Sequence, residues 1–501
     1  MSIFHSTVSR REFMKNLGLM GAGVGTAALA TPNFHDVDEV LTSSRVNLHR
    51  AWYVKEREFG DIGIEIDWNL IKRRDMRDFA NWNMDIFEKH YPGGPEATKK
   101  HLADCATKNR AKHYQVWPNA KDPTTRDYAL RSALASVNHY THYTLNCAMG
   151  GVKVNPAKTP DQLGMPKWEG TPEENSLMIR AAFSIVGLGP SIAVSELDEK
   201  TKNFVWDYAP RGWLGESSER LVFDDTITSY VRKKDPPTLL IPTSHKYVIS
   251  THNMSSDELF RRSYTIAGSG NPEHISYNRV GYAKNFVEEF IRGLGYHCVY
   301  GHSIQPAAIW DFLGGGGEHC RMGQISLSPE YGGLRRTHAI FFTDLPLALT
   351  PPIDAGLTKF CETCGLCADA CPMGAIPPAG IGRSWDPYTG QNWSDDKENG
   401  GTEVMYNLPG YKGWRLNLFE CAYTPCTGAC KAQCPFNAIP GGSFVHSIVK
   451  GTVATTPMFN SFFKNMEETL KYGIQEKDHE SWWHDPEAWH IYGSHPNLLR
   501  Q

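Results

Sequence analysis

Eight of the chain's twelve cysteines fall between Cys361 and Cys434, and their spacing is the first chemistry the sequence offers. Cys361-Glu-Thr-Cys364-Gly-Leu-Cys367-Ala-Asp-Ala-Cys371-Pro372 is a C-x2-C-x2-C-x3-C-P run. In two-cluster bacterial ferredoxins this spacing lets three thiolates hold one cubane while the fourth crosses to the other. Cys421, Cys426, Cys430 and Cys434 form a looser second set, again closed by a proline, Pro435. Zinc sites pair two C-x2-C units or mix in histidine, so the tight triple favours iron–sulfur ligation. By the crossing rule Cys361, Cys364, Cys367 and Cys434 hold one [4Fe–4S] cluster. Cys371 then joins Cys421, Cys426 and Cys430 on the other, which completes two cubanes and an electron path. Cys105, Cys147, Cys298 and Cys320 are scattered and read as small buried residues.

The N-terminus says where such a protein works. Ser9-Arg10-Arg11-Glu12-Phe13-Met14-Lys15 is a twin-arginine export signal, followed by a Gly/Ala-rich apolar stretch from Leu17 to Ala30. Ala28-Leu29-Ala30 fits a small-x-small cleavage site, with the mature chain starting near Thr31. The stretch is shorter than the roughly 20 apolar residues of a spanning helix, and no later stretch reads as one. Thiolate-bound clusters need a reducing compartment for assembly, and the twin-arginine route carries proteins already folded around their cofactors. Export and cysteine richness would otherwise point to disulfides, but the spacing points to clusters.

Composition bounds the rest. With 501 residues, 41% hydrophobic and 21% charged, the chain is globular and long enough for two or three domains. A formal net charge of −4 without a long basic run gives no footprint for nucleic acid. Helical periodicity runs around Trp68 to His90 and Thr124 to Asn138, and Pro156 to Thr171 reads as a linker. Thr171-Pro-Glu-Glu opens a capping box for a helix over Glu173 to Val186. From Pro236 onward strands and helices alternate. Strands are expected at Thr238 to Ile241, Tyr247 to Ser250, Tyr296 to Tyr300, Ile325 to Leu327 and Ala339 to Asp344. Helices are expected at Asn278 to Leu294, before Gly295, and at Pro306 to Leu313, before the glycine run Gly314 to Gly317. The glycine run lacks G-x-G-x-x-G after a strand, which excludes a dinucleotide loop; close backbone approach is the better reading. The domains expected are a signal peptide at 1–30, a mostly helical region at 31–165 and a catalytic domain at 166–350. A two-cluster domain at 351–445 and an extension at 446–501, carrying Trp482, Trp483, His484, Trp489 and His490, complete the chain.

Export signal, strand–helix domain and two-cluster domain, in this order, resemble a corrinoid-dependent reductive dehalogenase. His297 to Gly323 (HCVYGHSIQPAAIWDFLGGGGEHCRMG), Ser328-Pro329-Glu330-Tyr331-Gly332, Phe342-Thr343-Asp344-Leu345-Pro346-Leu347 and Pro351-Pro352-Ile353-Asp354 are similar to blocks of that family. The resemblance implies an α+β protein: a nitroreductase-like cobalamin-binding α/β sandwich followed by a bacterial ferredoxin-like domain with two [4Fe–4S] clusters. It implies a base-off cobamide, consistent with 20 histidines of which none sits in Asp-x-His-x-x-Gly. It implies reduction of an organohalide, RX + 2 e− + H+ giving RH + X−, as the last step of anaerobic organohalide respiration. It also implies a small membrane-anchor protein, an upstream membrane electron donor and a peripheral place on the outer face of the cytoplasmic membrane.

The resemblance carries the acid over to Tyr282, which stands about a dozen residues before Leu294-Gly295. By spacing alone Tyr282, Phe286 and Phe290 form an i, i+4, i+8 stripe, which is usually a core face. A phenol with an ordinary pKa near ~10 keeps its proton at neutral pH and can donate it to a forming carbanion. Tyr277 is the rival. Arg336, then Arg321, then Arg335 are the candidate cations beside the developing charge; each also reads as a surface charge or ion pair. Trp52, Trp82 and Trp117 are candidates for an apolar substrate pocket or plain core. Two other readings stand beside this one: an epoxyqueuosine-reductase-like cobalamin enzyme acting on transfer RNA, and an exported two-cluster electron-transfer subunit without a catalytic site. The export signal and the unbiased charge oppose the first, and the long stretch before Cys361 opposes the second.

Overall fold

The computed structural model describes residues 50–51, 53–77, 84–141, 156–188, 192–209, 219–265, 271–301, 306–383, 410–422, 426, 428–437, 444–470, 474 and 483–484. The export signal, Cys147, Trp52, Trp82, Trp482, Trp489 and His490 lie outside them.

A four-stranded antiparallel sheet is the frame. Its strands are β1 (Ile192–Glu196), β2 (Tyr247–Met254), β3 (Cys298–Tyr300) and β4 (Arg335–Thr343), in the order β1-β2-β4-β3. Val194, Val248, Ile249, Ile340, Phe341 and Phe342 are fully or nearly fully buried, so both faces of this sheet are covered. One face receives the helices Pro172–Ile185 and Asn271–Gly293 through Ile179, Phe183, Val280, Ala283, Val287 and Ile291. Each fully buried Val or Ile of that kind contributes roughly 1.5–3 kcal/mol. The opposite face packs Trp310 of the Ala307–Leu313 helix and Phe204 against Phe342 and Val248. A second sheet, Arg220–Asp224, Pro237–Pro242 and Val231–Lys234, joins that core through Leu221, Leu239 and Ile241.

Several expectations are met closely. Thr171 caps the Pro172–Ile185 helix by a full capping box, accepting from the Glu174 amide at 3.2 Å while its own amide donates to Glu174 Oε2 at 2.9 Å. The Ala307–Leu313 helix stops at Gly314. Others needed tertiary structure. The long helix starts at Asn271 rather than Asn278, and β4 starts at Arg335 rather than Ala339. Of Trp68 to His90 only Met84–His90 is helical among the described residues; Trp68 and Ile71 instead pack as loop residues on the Val248–Trp310 core. The helix Gly94–Val116 and the strands at 192–196, 220–224 and 231–234 lack a clean apolar period and were not anticipated. In the glycine run, Gly315 adopts φ +68, and a Cβ on Gly314 or Gly315 would meet β1 or the Pro351 carbonyl. The close approach that requires glycine here is therefore to the protein's own backbone.

The N-terminal region wraps the cysteine segment. Lys55–Glu56 pairs with Ile353–Asp354, and Arg57 forms an ion pair with Asp354 at 2.8 Å. Phe87 packs on Phe419, and Trp117 lies in a core with Tyr264, Ala370 and Ala429. Trp117 is thus core beside the cysteine helices. Among the described residues no helix is long and apolar enough to cross a membrane.

Candidate redox and catalytic site

The two cysteine sets fold as a near-repeat. Gly365 (φ 80) opens the short helix Leu366–Asp369 that carries Cys367, and Gly428 (φ 73) opens Ala429–Ala432, which carries Cys430. Each helix is followed by its fourth cysteine and a proline, and the two helices pack on each other. The left-handed turn is why both sets hold glycine there. The second set is longer in two places, with four residues rather than two between Cys421 and Cys426 and three rather than two between Cys426 and Cys430, which makes its spacing irregular.

The thiols of the two sets lie close to one another, and Cys367 and Cys430 also interact across them. Cys434 lies close enough to Cys361 and Cys364 for their charges to interact, and Cys430 interacts with Cys426, Cys371 and Cys421. Loss of water pushes the Cys361 thiol up to about 11, Cys364 to about 12, and Cys367, Cys430 and Cys434 well above the usual range. Left alone, thiols so buried stay protonated; a metal centre among them offsets the cost of the thiolates. Donors are already aimed at the sulfurs. The Leu366 amide bonds Cys364, the Phe436 amide bonds Cys434, and Gln324 Nε2 donates to Cys421 Sγ at 2.9 Å.

One short segment, Glu318 to Gln324, brackets both sets. Glu318 accepts from the amides of Ala355 and Thr358 at the start of the Leu357–Thr363 helix, which presents Cys361. Thr358 Oγ1 donates to the His319 carbonyl at 2.7 Å. Arg321, 1% exposed, donates to the carbonyls of Cys361, Glu362, Pro377, Pro378 and Ile381 at 2.7–3.1 Å. Its guanidinium lies 4.8 Å from the Trp414 ring centroid. Only a planar five-donor fork can collect so many carbonyls. The structure therefore gives Arg321 the task of gripping the first cysteine loop, with its donors directed at carbonyls rather than at a substrate. Glu318 and Gln324 were missed by sequence reasoning; the available signal was the charged run Glu318-His319-Cys320-Arg321 inside an otherwise apolar stretch. Cys320 donates to the Ile325 carbonyl at 3.2 Å and is buried.

The presumed acid and cation fall on the frame. Tyr282 lies on the Asn271–Gly293 helix and Arg336 on β4, opposite Asn253 of β2, where the ladder shifts register before Ala339. The side chains of Tyr282, Arg335 and Arg336 lie outside the described residues. Asn253 is stitched to the same helix, its Nδ2 donating to the Ser276 carbonyl while Ser276 Oγ donates to the Asn253 carbonyl. Tyr282 follows Ser276 by six residues, about 9 Å along the axis, and precedes Glu288, which accepts from the Tyr300 amide, by the same number, so its backbone lies midway along the helix. Phe286 and Phe290, the rest of the stripe, stack on each other at 6.0 Å on the rim of the helix core. Tyr277 is half-buried beside His274. The helix is tied to the second cysteine set by an ion pair between Glu273 and Lys431.

Comparison with known proteins follows the same lines. The family described as "Reductive dehalogenase subunit" matches residues 49–347. The chain is 32% identical to a chloroethene reductive dehalogenase of Dehalococcoides mccartyi strain VS, across 99% of this chain and 100% of that one. It is 30% identical to a trichloroethene reductive dehalogenase of D. mccartyi strain 195, across 96% and 97%. A solved structure of a reductive dehalogenase with a B12-dependent mechanism aligns with TM-score 0.55 at 16% identity, over 92% of this chain and 54% of that one. A catabolic reductive dehalogenase in complex with 3-bromo-4-hydroxybenzoic acid aligns with TM-score 0.54 at 15% identity, over 87% and 52%. The chain spans about half the length of these solved proteins, and at such identities the likeness is one of fold.

Proposed function

The chain belongs to the reductive dehalogenase family, and from that premise we propose that it is the corrinoid-dependent terminal reductase of an organohalide respiration. As a family member it is an oxidoreductase acting on carbon–halogen bonds. In this reading the 166–350 region is a nitroreductase-like sandwich that holds a base-off cobamide. The 351–445 region is a ferredoxin-like domain with two [4Fe–4S] clusters, one on Cys361, Cys364, Cys367 and Cys434, the other on Cys371, Cys421, Cys426 and Cys430. The observation that carries it is the gathering of eight cysteines into two neighbouring sets beside the helix of Tyr282. A bound cobamide would supply the two-electron reduction of the carbon–halogen bond.

The chain's own residues supply the rest. Tyr282 donates the proton that the carbon needs, and Arg336 holds positive charge beside the leaving halide or the phenolate. Arg321 positions the first cysteine loop. The net change is RX + 2 e− + H+ to RH + X−. Chloroethenes head the substrate panel because two full-length relatives are named for chloroethene and trichloroethene. The twin-arginine signal would deliver the loaded protein to the outer face of the cytoplasmic membrane, held by a small anchor protein and fed by a membrane donor. The family match opposes both a transfer-RNA reductase and a bare electron carrier.

The test is anaerobic turnover with a reduced viologen across chloroethenes, chlorobenzenes and halophenols, with iron, cobalt and the corrinoid spectrum measured on the same preparation. About eight irons and one cobalt per chain are expected, and Tyr282→Phe should lose ~100-fold or more in rate with its corrinoid intact. Eight irons without cobalt would sink the catalytic reading, and full activity in Tyr282→Phe would remove the acid assignment alone.

A further inference from the structure

At the end of the sheet remote from Arg336, three side chains that the proposed reaction does not use converge. His245 precedes β2, His297 precedes β3 and Asp344 follows β4. One ligand atom from each lies within 4.8 Å of the others. β2 separates His245 from Asn253 by about 20 Å or more, so the cluster is distinct from the end that carries Arg336.

The donors are set up as metal ligands are. His245 is fully buried, and its Nε2 donates to the Thr228 carbonyl at 3.2 Å. That bond fixes the tautomer and leaves Nδ1 with the lone pair. Nδ1 has no hydrogen-bond partner, although the Phe342 carbonyl also faces the ring. An orphaned buried nitrogen is costly unless something occupies its lone pair. His297 Nδ1 and Asp344 Oδ2 form a hydrogen bond of 3.1 Å, a pairing a metal ion would replace with little movement, since two ligands of a tetrahedral zinc ion with ~2.0–2.1 Å bonds stand ~3.3 Å apart. The His297 amide holds the other Asp344 oxygen at 2.7 Å. With 42% of its side chain exposed, His297 leaves a way in from solvent and room for a water as fourth ligand.

We propose that His245, His297 and Asp344 form a zinc-type divalent metal site that clamps the ends of β2, β3 and β4 to the loop of Thr228. Two imidazoles and a carboxylate with an open position are a zinc donor set, which ferrous iron shares. Among the described residues a second such group exists, His101, Cys105 and Glu420. There His101 Nε2 is already engaged with the Phe419 carbonyl at 2.8 Å, and Glu420 adjoins Cys421, so that group belongs with the redox site.

The holoenzyme, purified anaerobically with its clusters, would be dialysed against micromolar zinc sulfate. Bound zinc is then counted by mass spectrometry and its ligands read at the zinc K-edge, where the iron centres are silent. The expected result is about one zinc per chain with only nitrogen and oxygen ligands and outer-shell scattering from two imidazoles. His297→Asn and Asp344→Asn should each weaken zinc binding by ~100-fold or more, with iron content unchanged. His297 is partly exposed, so its variant remains readable even if His245→Gln does not fold. Zinc well below one per chain, a sulfur ligand, or unchanged affinity in His297→Asn and Asp344→Asn would each overturn the proposal.

Discussion

The residue with the most direct handle on the electron path is Gln324. Its Nε2 reaches Cys421 Sγ at 2.9 Å, and Cys421 belongs to the proposed second cluster. A donor to a ligating sulfur stabilises the reduced, more negative cluster and so raises its potential. A net hydrogen bond of about 1 kcal/mol corresponds to about 45 mV for one electron. Gln324→Leu should therefore lower the potential of one cluster by about 50 mV and leave the other unmoved, as read by an EPR-monitored redox titration. Unshifted potentials, or two equal shifts, would remove this role. Arg321 works differently: its donors go to loop carbonyls and only indirectly to the metal, so its importance lies in holding Cys361 in place.

At the scale of elements, the junction of the long helix with β3 carries a protonation signature. Glu288 of the helix is 3% exposed and accepts from the Tyr300 amide at 2.7 Å. Burial raises its carboxyl to about 8, against an ordinary value of 4.5, despite that bond and nearby Lys284. Between those values the folded state binds a proton that the unfolded state releases, so stability falls as pH rises from about 4.5 to about 8. The slope approaches about 1.4 kcal/mol per pH unit in mid-window. Glu288→Gln keeps an acceptor for Tyr300 and should flatten the fall of the unfolding midpoint between pH 5 and 8. Parallel profiles for the two proteins would show that Glu288 does not titrate there. The same helix marks where the sequence was readable. Its apolar face, Val280 to Ile291, and its stop before Gly295 follow from period and glycine alone. Its first two turns, over Asn271 to Tyr277, are held by Asn253 and Lys431, partners distant in sequence, and carry no period to read. The cysteine spacing predicts a crossing of the fourth cysteines because covalent loop length limits which thiols can share a cube. The charged run from Glu318 to Arg321 marks the segment, but the roles of Glu318 and Gln324 exist only once Thr358 and Cys421 are folded against them.

For the whole molecule, the cysteine segment is not a detachable wire. Lys55–Glu56 supplies a strand to Ile353–Asp354, and Arg57 and Lys359 share Asp354. Met84–His90 lays Phe87 on Phe419, His101 bonds the Phe419 carbonyl, and Tyr264 donates to the Ala370 carbonyl at 2.7 Å beside Trp117. Arg321 grips the first loop from outside the segment altogether. Removing these partners would expose Leu366, Phe419, Ala370 and Ala429 and leave the loop carbonyls of Cys361 to Ile381 without their guanidinium. An independent ferredoxin would need none of them. Residues 351–501 produced alone should therefore hold fewer than half the ~8 irons of the full chain after anaerobic reconstitution, and should aggregate through the bared core. Full iron content in a monomeric fragment would mean that the two clusters are self-sufficient. Failure of the fragment beside a loaded full chain would instead make cluster assembly a property of the whole fold. The export proposed for the folded chain would require that dependence, since the N-terminal region would have to close over the clusters before leaving the compartment where they are built.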